Sequence, residues 1–174
     1  RPTSAGGATI TPLGFDPGRN ISAIATGKDD ANNPVILVAV NQFGANNQAL
    51  AGVYRLTSDT APAEFLSGGA LPGKLPAGRA YDVINDPANP ARFYVSIGGA
   101  AGGIFTTADG GKNWDRVSDS AVSNPALLGT PTIDALVSGN TINLKFALHT
   151  SPGNNILYAA LVNTNTVPAN KPSE

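Results

Sequence analysis

The chain contains no cysteine and no methionine, and its 174 residues include a single histidine. Without cysteine there is neither a disulfide framework nor a thiolate metal site, and one imidazole cannot form a histidine-rich metal cluster. Charged residues are also scarce, at 13 %, and they nearly balance to a net charge of −1 without any basic cluster. Binding to nucleic acid depends on clustered positive charge, so we predict no nucleic-acid partner, no metal and no cofactor.

Long hydrophobic runs are missing as well. No apolar stretch approaches the ~20 residues that a membrane-spanning helix needs, so we predict no membrane insertion. No signal peptide is recognisable and the first residue is not methionine, which indicates a processed product or a piece of a longer protein. A polar, turn-rich chain without cysteine is typical of exported bacterial proteins, and we therefore expect a secreted, periplasmic or cell-surface location.

Turn residues are abundant, with 20 glycines and 14 prolines beside a hydrophobic fraction of 41 %. Three β-prone runs each follow an Asn/Pro/Gly turn, and each turn follows another short apolar run. Turn chemistry between two such runs is the signal for a β-hairpin. The runs after the turns are PVILVAV (34–40), ARFYVSI (91–97) and NILYAAL (155–161), and the runs before them begin at Ile21, Ala80 and Leu144.

The hairpins belong to a longer repeat. The first two are followed by a third run, AGVY from Ala51 and GGIF from Gly102, and by a fourth, AEF from Ala63 and WDRV from Trp114. A unit of four antiparallel strands that recurs after about 60 residues predicts the blade of an all-β propeller. We place the blades at approximately 18–70, 78–120 and 141–174, the last incomplete. Because a closed propeller needs ~4–8 blades, residues 1–174 are predicted to be two and a half to three blades of one larger propeller domain.

The turn between the third and fourth runs of the second unit reads TTADGGKNW (106–114). It resembles the Asp-box, or BNR repeat, Ser/Thr-x-Asp-x-Gly-x-Thr-Trp, of sialidase, xyloglucanase and sortilin-like β-propellers. Thr107, Asp109, Gly111 and Trp114 match this pattern, and Asn113 replaces the usual threonine. The residue types indicate a structural role: the carboxylate accepts amide hydrogen bonds, the glycine adopts a positive φ, and the indole packs across the hairpin.

Candidate catalytic groups are few. The only glutamates are Glu64 and Glu174, and no spacing pairs Asp82 with Asp134 as ordinary glycoside hydrolysis requires. We therefore assign no catalytic residue.

Arg79, Tyr81 and Asp82, in the run RAYD, are the one local group with the chemistry of a ligand site. The first strand of a propeller blade lines the central channel, and alternation places Arg79 and Tyr81 on one face of that strand. The competing interpretation is that Tyr81 packs in the core while Arg79 and Asp82 are solvated at a loop end.

Three further features have simpler interpretations. His149 is predicted to lie on the surface at the end of a strand. The DDANN turn (29–33) offers oxygen ligands for Ca²⁺ but lacks calcium-loop spacing, which favours a solvated turn. GGAAGG (98–103) has no Lys-Ser/Thr and no following helix, so it is predicted to be a hairpin connection rather than a phosphate loop.

The composition and the resemblance together favour a non-catalytic, secreted or cell-surface propeller segment that serves protein binding, glycan binding or structural assembly. Its expected partners are other protein chains or the missing blades of the same protein. The alternative is a fragment of a sialidase-like or xyloglucanase-like hydrolase whose active site is completed by the missing blades. A third possibility, a cofactor-assembly or photosynthetic accessory subunit, is implied by the family resemblance alone.

Overall fold

The computed structural model describes residues 20–41, 51–58, 60–69, 73–99, 101–118, 141–151 and 154–163. Within these residues the secondary structure consists of ten β-strands. This part of the chain contains no helix with the length and hydropathy needed to cross a membrane. The strands are β1 (Ile21–Lys28), β2 (Pro34–Val40), β3 (Gly52–Leu56), β4 (Glu64–Phe65), β5 (Arg79–Asp86), β6 (Asn89–Gly98), β7 (Gly103–Thr107), β8 (Asp115–Arg116), β9 (Thr141–Ser151) and β10 (Asn154–Asn163).

The strands pair antiparallel in the order in which the chain supplies them. Among the described residues, sheet 1 is β1-β2-β3-β4, sheet 2 is β5-β6-β7-β8, and sheet 3 is β9-β10. The predicted all-β class is confirmed, and the predicted hairpins are confirmed in all three sheets. The strands that the structure describes do not close into a ring. The fourth strands are shorter than predicted, because β4 and β8 have two residues each and Trp114 precedes β8.

Each sheet carries a β-bulge at the same place, near the start of its first strand. In each sheet one residue of the first strand has no partner on the second strand. It is Ser22 in sheet 1, opposite Ala39 and Val40, and Tyr81 in sheet 2, opposite Ser96 and Ile97. In sheet 3 it is residue 142, opposite Val162 and Asn163. Because the bulge recurs at the same place, it is a common reference point from which the second strands of the three sheets can be compared residue by residue. Val38, Val95 and Leu161 then occupy corresponding positions on β2, β6 and β10.

The outer hairpins of sheets 1 and 2 are closed in the same way. The Val53 amide donates to Ser67 Oγ (3.1 Å), and the Ile104 amide donates to Ser118 Oγ (2.7 Å). A Cβ on the glycine that precedes each amide would lie 2.5 Å or 2.8 Å from the serine Oγ, which explains the glycine at both positions. The two sheets are therefore repeats of one four-stranded design.

The main core lies between sheets 1 and 2, and a smaller cluster joins sheet 3 to sheet 2. The first strands contact one another in sequence, β1 with β5 and β5 with β9. Aliphatic and aromatic side chains fill the main core, including Leu37, Val53, Val83, Phe93, Val95, Phe105 and Trp114. The smaller cluster contains Tyr81, Leu144, Phe146 and Leu161. The three sheets thus stack face to face, in chain order.

Asp134, Glu174 and the last part of the third predicted blade (164–174) lie outside the described residues.

Candidate functional site

The turn at residues 107–114 is closed by a network centred on Asp109. Its Oδ1 accepts hydrogen bonds from the Thr107 hydroxyl (2.7 Å) and from the amides of Lys112 (2.9 Å) and Asn113 (3.0 Å). Its Oδ2 accepts a further bond from the Asn113 side-chain amide (2.8 Å). The Thr107 hydroxyl in turn accepts the Gly111 amide at 3.1 Å. Asn113, which replaces the usual threonine, is therefore part of the network.

Trp114 closes the turn from the core side. Its indole Nε1 donates to the Gly111 carbonyl (3.1 Å), and the side chain is 2 % exposed. Gly110 and Gly111 have φ angles of 74° and 91°, in the left-handed region that favours glycine. The geometry shows Thr107, Asp109, Gly111 and Trp114 bonded to one another within a single turn.

The pKa of Asp109 is lowered from its ordinary value. Partial burial acts to raise the pKa, but the hydrogen bonds from Asn113, Thr107 and Lys112 stabilise the ionised carboxylate and outweigh that effect. The carboxylate is thus held in its charged form by groups of its own turn.

A second turn with the same chemistry joins β1 to β2. Asp29 Oδ1 accepts the amides of Ala31 (3.0 Å) and Asn33 (2.8 Å), and its Oδ2 accepts the Asn33 side-chain amide (3.2 Å). The hydrogen bond from the Asn33 amide is the main cause that lowers the pKa of Asp29. Both turns share the spacing Asp-x-x-x-Asn, a signal that was available in the sequence. We name the turns 29–33 and 109–113 the two Asp–Asn turns.

The two Asp–Asn turns lie against each other and join sheet 1 to sheet 2. Arg55, buried on β3, donates through Nε to the Gly110 carbonyl (2.8 Å), and its Nη2 lies 3.8 Å from Asp29 Oδ2. Lys112 Nζ lies 3.6 Å from Asp29 Oδ2 and also pairs with Asp30. The hydrogen bond with Asp30 is the main cause that raises the pKa of Lys112. Residues 30–33 of this turn are exposed, as predicted, but Asp29 is buried, and the two carboxylates of the turn pair with cations from both sheets.

Gly110 is the point of closest approach between these turns. A Cβ there would lie 2.6 Å from Asp29 Cα, whereas a Cβ on Gly73, which also has a positive φ (90°), would meet no atom nearer than 3.5 Å. We expect Gly110→Ala to destabilise the protein by about 2–3 kcal/mol because it combines backbone strain with a clash, and Gly73→Ala by only about 1 kcal/mol because it adds backbone strain without a clash. Urea denaturation of both variants measures the difference, and equal losses would contradict the contact between the turns.

Arg79 and Tyr81 interact with each other, whereas Asp82 bonds to sheet 3. A bulge at Tyr81 interrupts the pairing of β5 with β6, and the side chain of Arg79 forms a hydrogen bond with that of Tyr81. Tyr81 is buried, and a Cβ on Gly98 would lie 2.4 Å from its ring. Burial raises the pKa of Tyr81, and the charge and hydrogen bond of Arg79 oppose that effect. Arg79 is exposed, and its side chain reaches Tyr81 at the rim of the core.

Asp82 is buried rather than solvated, and it has partners on its own strand and on sheet 3. Its Oδ2 accepts the Phe146 amide (2.8 Å), and its Oδ1 accepts the Val83 amide (3.1 Å) and lies 3.7 Å from Lys145 Nζ. Lys145 also donates to the carbonyls of Ser22 (3.0 Å) and Tyr81 (3.3 Å). One ammonium group therefore ties together the first strands of all three sheets.

The remaining candidate residues do not form a cluster with one another. His149 is exposed on β9, as predicted, and Glu64 on β4 is an exposed side chain 3.5 Å from Arg55 Nη1. The GGAAGG segment begins at the end of β6 and ends at the start of β7, which confirms a hairpin connection. Within the part of the chain that the structure describes, no group of three or more His, Cys, Asp or Glu side chains has metal-binding geometry.

Neither a protein-family model, nor a curated protein sequence, nor a solved structure matches the chain.

Proposed function

We propose that the chain is a non-catalytic segment of an Asp-box β-propeller, exported to the periplasm, the cell surface or the medium, and that it serves binding or structural assembly. Its partners in this proposal are other protein chains, further blades of the same protein, or a glycan. The observation that carries the proposal is the repeated four-stranded sheet, together with the two Asp–Asn turns that meet at the contact between sheet 1 and sheet 2. This arrangement supports stacking of sheets around a common axis.

The carboxylates support a structural role over a catalytic one. Asp29 and Asp109 each accept backbone amides of their own turn, and Asp82 accepts amides from β5 and β9. Asp86, which is fully buried, accepts the Ala88 amide (2.9 Å) and the Asn155 side chain (2.7 Å). A glycosidase acid and nucleophile must instead face a shared cleft across the scissile bond. The carboxylates of these four aspartates accept hydrogen bonds that hold turns and strands together.

The proposal is tested by separating binding from turnover in one preparation. We expect saturable binding of a glycan or protein ligand, measured by calorimetry, and no release of product from fluorogenic sialosides, xyloglucan or β-glucans above a buffer blank. The companion variant is Glu64→Gln, which removes the exposed carboxylate that lies 3.5 Å from Arg55 Nη1.

Product release that disappears in Glu64→Gln would overturn the non-catalytic assignment and support the hydrolase alternative. Product release that persists in Glu64→Gln would also overturn it, and would direct attention to the carboxylates outside the described residues.

A further inference from the structure

Asp109 is followed directly by a glycine, and this is the one Asp-Gly or Asn-Gly pair in the sequence of the chain. In such a pair the glycine amide nitrogen can attack the side-chain carbonyl carbon of the preceding residue, because glycine has no Cβ to hinder the approach. The product is a cyclic imide, and its hydrolysis converts aspartate to isoaspartate. The turn 109–113 therefore contains the position at which the sequence most favours this modification.

The reaction uses water as its only co-reactant and leaves the mass of the chain unchanged. The Gly110 nitrogen loses its proton and bonds to Asp109 Cγ, while the protonated carboxyl group gives up its hydroxyl oxygen, so that a water molecule is released. Water then adds to either carbonyl of the imide. Addition at Cγ restores aspartate. Addition at the former main-chain carbonyl breaks the bond between that carbon and the Gly110 nitrogen, and the main chain then runs through Cβ and Cγ.

The folded turn holds the attacking nitrogen in place. The Gly110 amide donates to the Ala91 carbonyl of β6 (2.9 Å), and the Gly110 carbonyl accepts Arg55 Nε of β3 (2.8 Å). Gly110 is buried, and a Cβ on it would lie 2.6 Å from Asp29 Cα. Turning the amide towards Asp109 Cγ requires the hydrogen bond with Ala91 to break and displaces a residue that is fixed between sheet 1 and sheet 2.

The carboxyl group that would be attacked is held as well. It accepts hydrogen bonds from its own turn, and the donors are Thr107, Lys112 and Asn113. Partial burial acts to raise the pKa of Asp109, but these bonds lower it, so the group is ionised at neutral pH. An ionised carboxylate is a poor electrophile, because the oxygen that leaves must carry a proton with it. Conversion therefore requires the turn to open.

We propose that Asp109 is the isoaspartate-forming site of this chain, that the contact between sheet 1 and sheet 2 keeps it as aspartate, and that it converts when the turn opens. Isoaspartate adds an atom to the main chain and moves the carboxyl group away from the amides of Lys112 and Asn113. The network around the carboxylate then cannot re-form, so the modification makes the opening permanent. This inference is independent of what the chain binds.

The test compares the full chain in neutral buffer with the same chain unfolded in guanidinium chloride, both at body temperature. Electron-transfer fragmentation of the proteolytic peptide that contains residue 109 distinguishes the two isomers, although their masses are equal. We expect the folded chain to form isoaspartate at least about tenfold more slowly than the unfolded chain, since only the open fraction of the turn reacts. Equal rates would overturn the proposal, as would isoaspartate that forms mainly at another aspartate of the unfolded chain.

Two adjacent threonines provide a matched pair of variants. The Thr107 hydroxyl donates to Asp109 and accepts the Gly111 amide, whereas the Thr106 hydroxyl donates to the Phe93 carbonyl (3.1 Å). In the folded chain, Thr107→Ala should raise the rate of isoaspartate formation about tenfold, and Thr106→Ala should leave it within about twofold of the native rate. Circular dichroism confirms that both variants are folded. Equal increases would show that the site reacts only after global unfolding, and would overturn its control by the turn.

A second pair of variants tests the contribution of sheet 1. Arg55→Lys removes the Nε donor to the Gly110 carbonyl, and Asn155→Ala removes the bond to Asp86 (2.7 Å), which joins sheet 2 to sheet 3 instead. We expect a rise of about threefold or more in Arg55→Lys and a rate within about twofold of native in Asn155→Ala. Equal rates in these two variants would remove sheet 1 from the proposal, and the threonine pair decides the question if Arg55→Lys does not fold.

The permanence of the opening has its own measurement. Chains converted in guanidinium chloride and returned to buffer should melt at a lower temperature than unconverted chains carried through the same steps. Equal melting temperatures would contradict the loss of the network.

Discussion

Replacing Trp114 by alanine is expected to cost about 3–5 kcal/mol of unfolding free energy, the largest effect of any substitution considered for this chain. Trp114 is 2 % exposed and belongs to the core cluster that contains side chains from both sheet 1 and sheet 2. Truncation removes the apolar contacts of the ring and leaves a cavity that the surrounding strands fill only in part. The indole bond to the Gly111 carbonyl is lost as well.

Two companion variants separate these contributions. Trp114→Phe keeps most of the apolar area but cannot donate to Gly111, and we expect it to cost about 1–2 kcal/mol. Val117→Ala changes a nearby side chain that is 39 % exposed, and we expect it to cost less than about 1 kcal/mol. Because Trp114 is the only tryptophan, all variants are compared by circular dichroism in guanidinium chloride rather than by indole fluorescence. A Trp114→Ala loss no greater than that of Val117→Ala would contradict the packing role of the ring.

Local sequence patterns predict the strands and turns of this chain but not its bulges. The β-prone run Pro34–Val40 and the NP and GG turns identify strands and hairpins because each depends on residues a few positions apart. The Asp-box spacing identifies a turn for the same reason. The bulges at Ser22 and Tyr81 were not predicted, since their cause lies in pairing with a neighbouring strand rather than in the bulged residue.

Contacts between distant segments account for the rest. Asp82 was expected either to bind a ligand or to be solvated, but its acceptor atoms are taken by Phe146 and Lys145, about 60 residues further along the chain. Nothing in the run RAYD indicates those partners. The Asp–Asn turn at Asp29 is a different case, because the spacing that it shares with Asp109 is visible in the sequence. Only the Asp109 turn also carries the glycine and tryptophan that made the pattern recognisable.

Replacing Asp109 by alanine is expected to cost about 2–3 kcal/mol, because several turn donors lose one charged acceptor together. Hydrogen bonds to a charged group are stronger than neutral ones. In Asp109→Ala the amides of Lys112 and Asn113 lose this charged acceptor. Thr107→Ala, which keeps the carboxylate but removes one donor to it and the acceptor of the Gly111 amide, should cost about 1–2 kcal/mol. Urea denaturation at neutral pH ranks the two, and an Asp109→Ala loss below that of Thr107→Ala would contradict the network.

The pH dependence of Asp109→Asn provides a sharper form of this prediction. Since folding lowers the pKa of Asp109, the native state binds its proton less readily than the unfolded chain, and the ionised carboxylate stabilises the fold above the ordinary aspartate pKa of about 4. That stabilisation is lost as the pH falls through the lowered pKa. The pKa of Asp29 is lowered too, so the acid sensitivity of the native chain has at least two sources, and only the difference between the native chain and Asp109→Asn isolates one of them. We expect the stability gap between these two proteins to be widest near neutral pH and to shrink below about pH 4. A gap that stays constant from pH 7 to pH 3 would show that the charge of Asp109 contributes nothing and that only its shape is used.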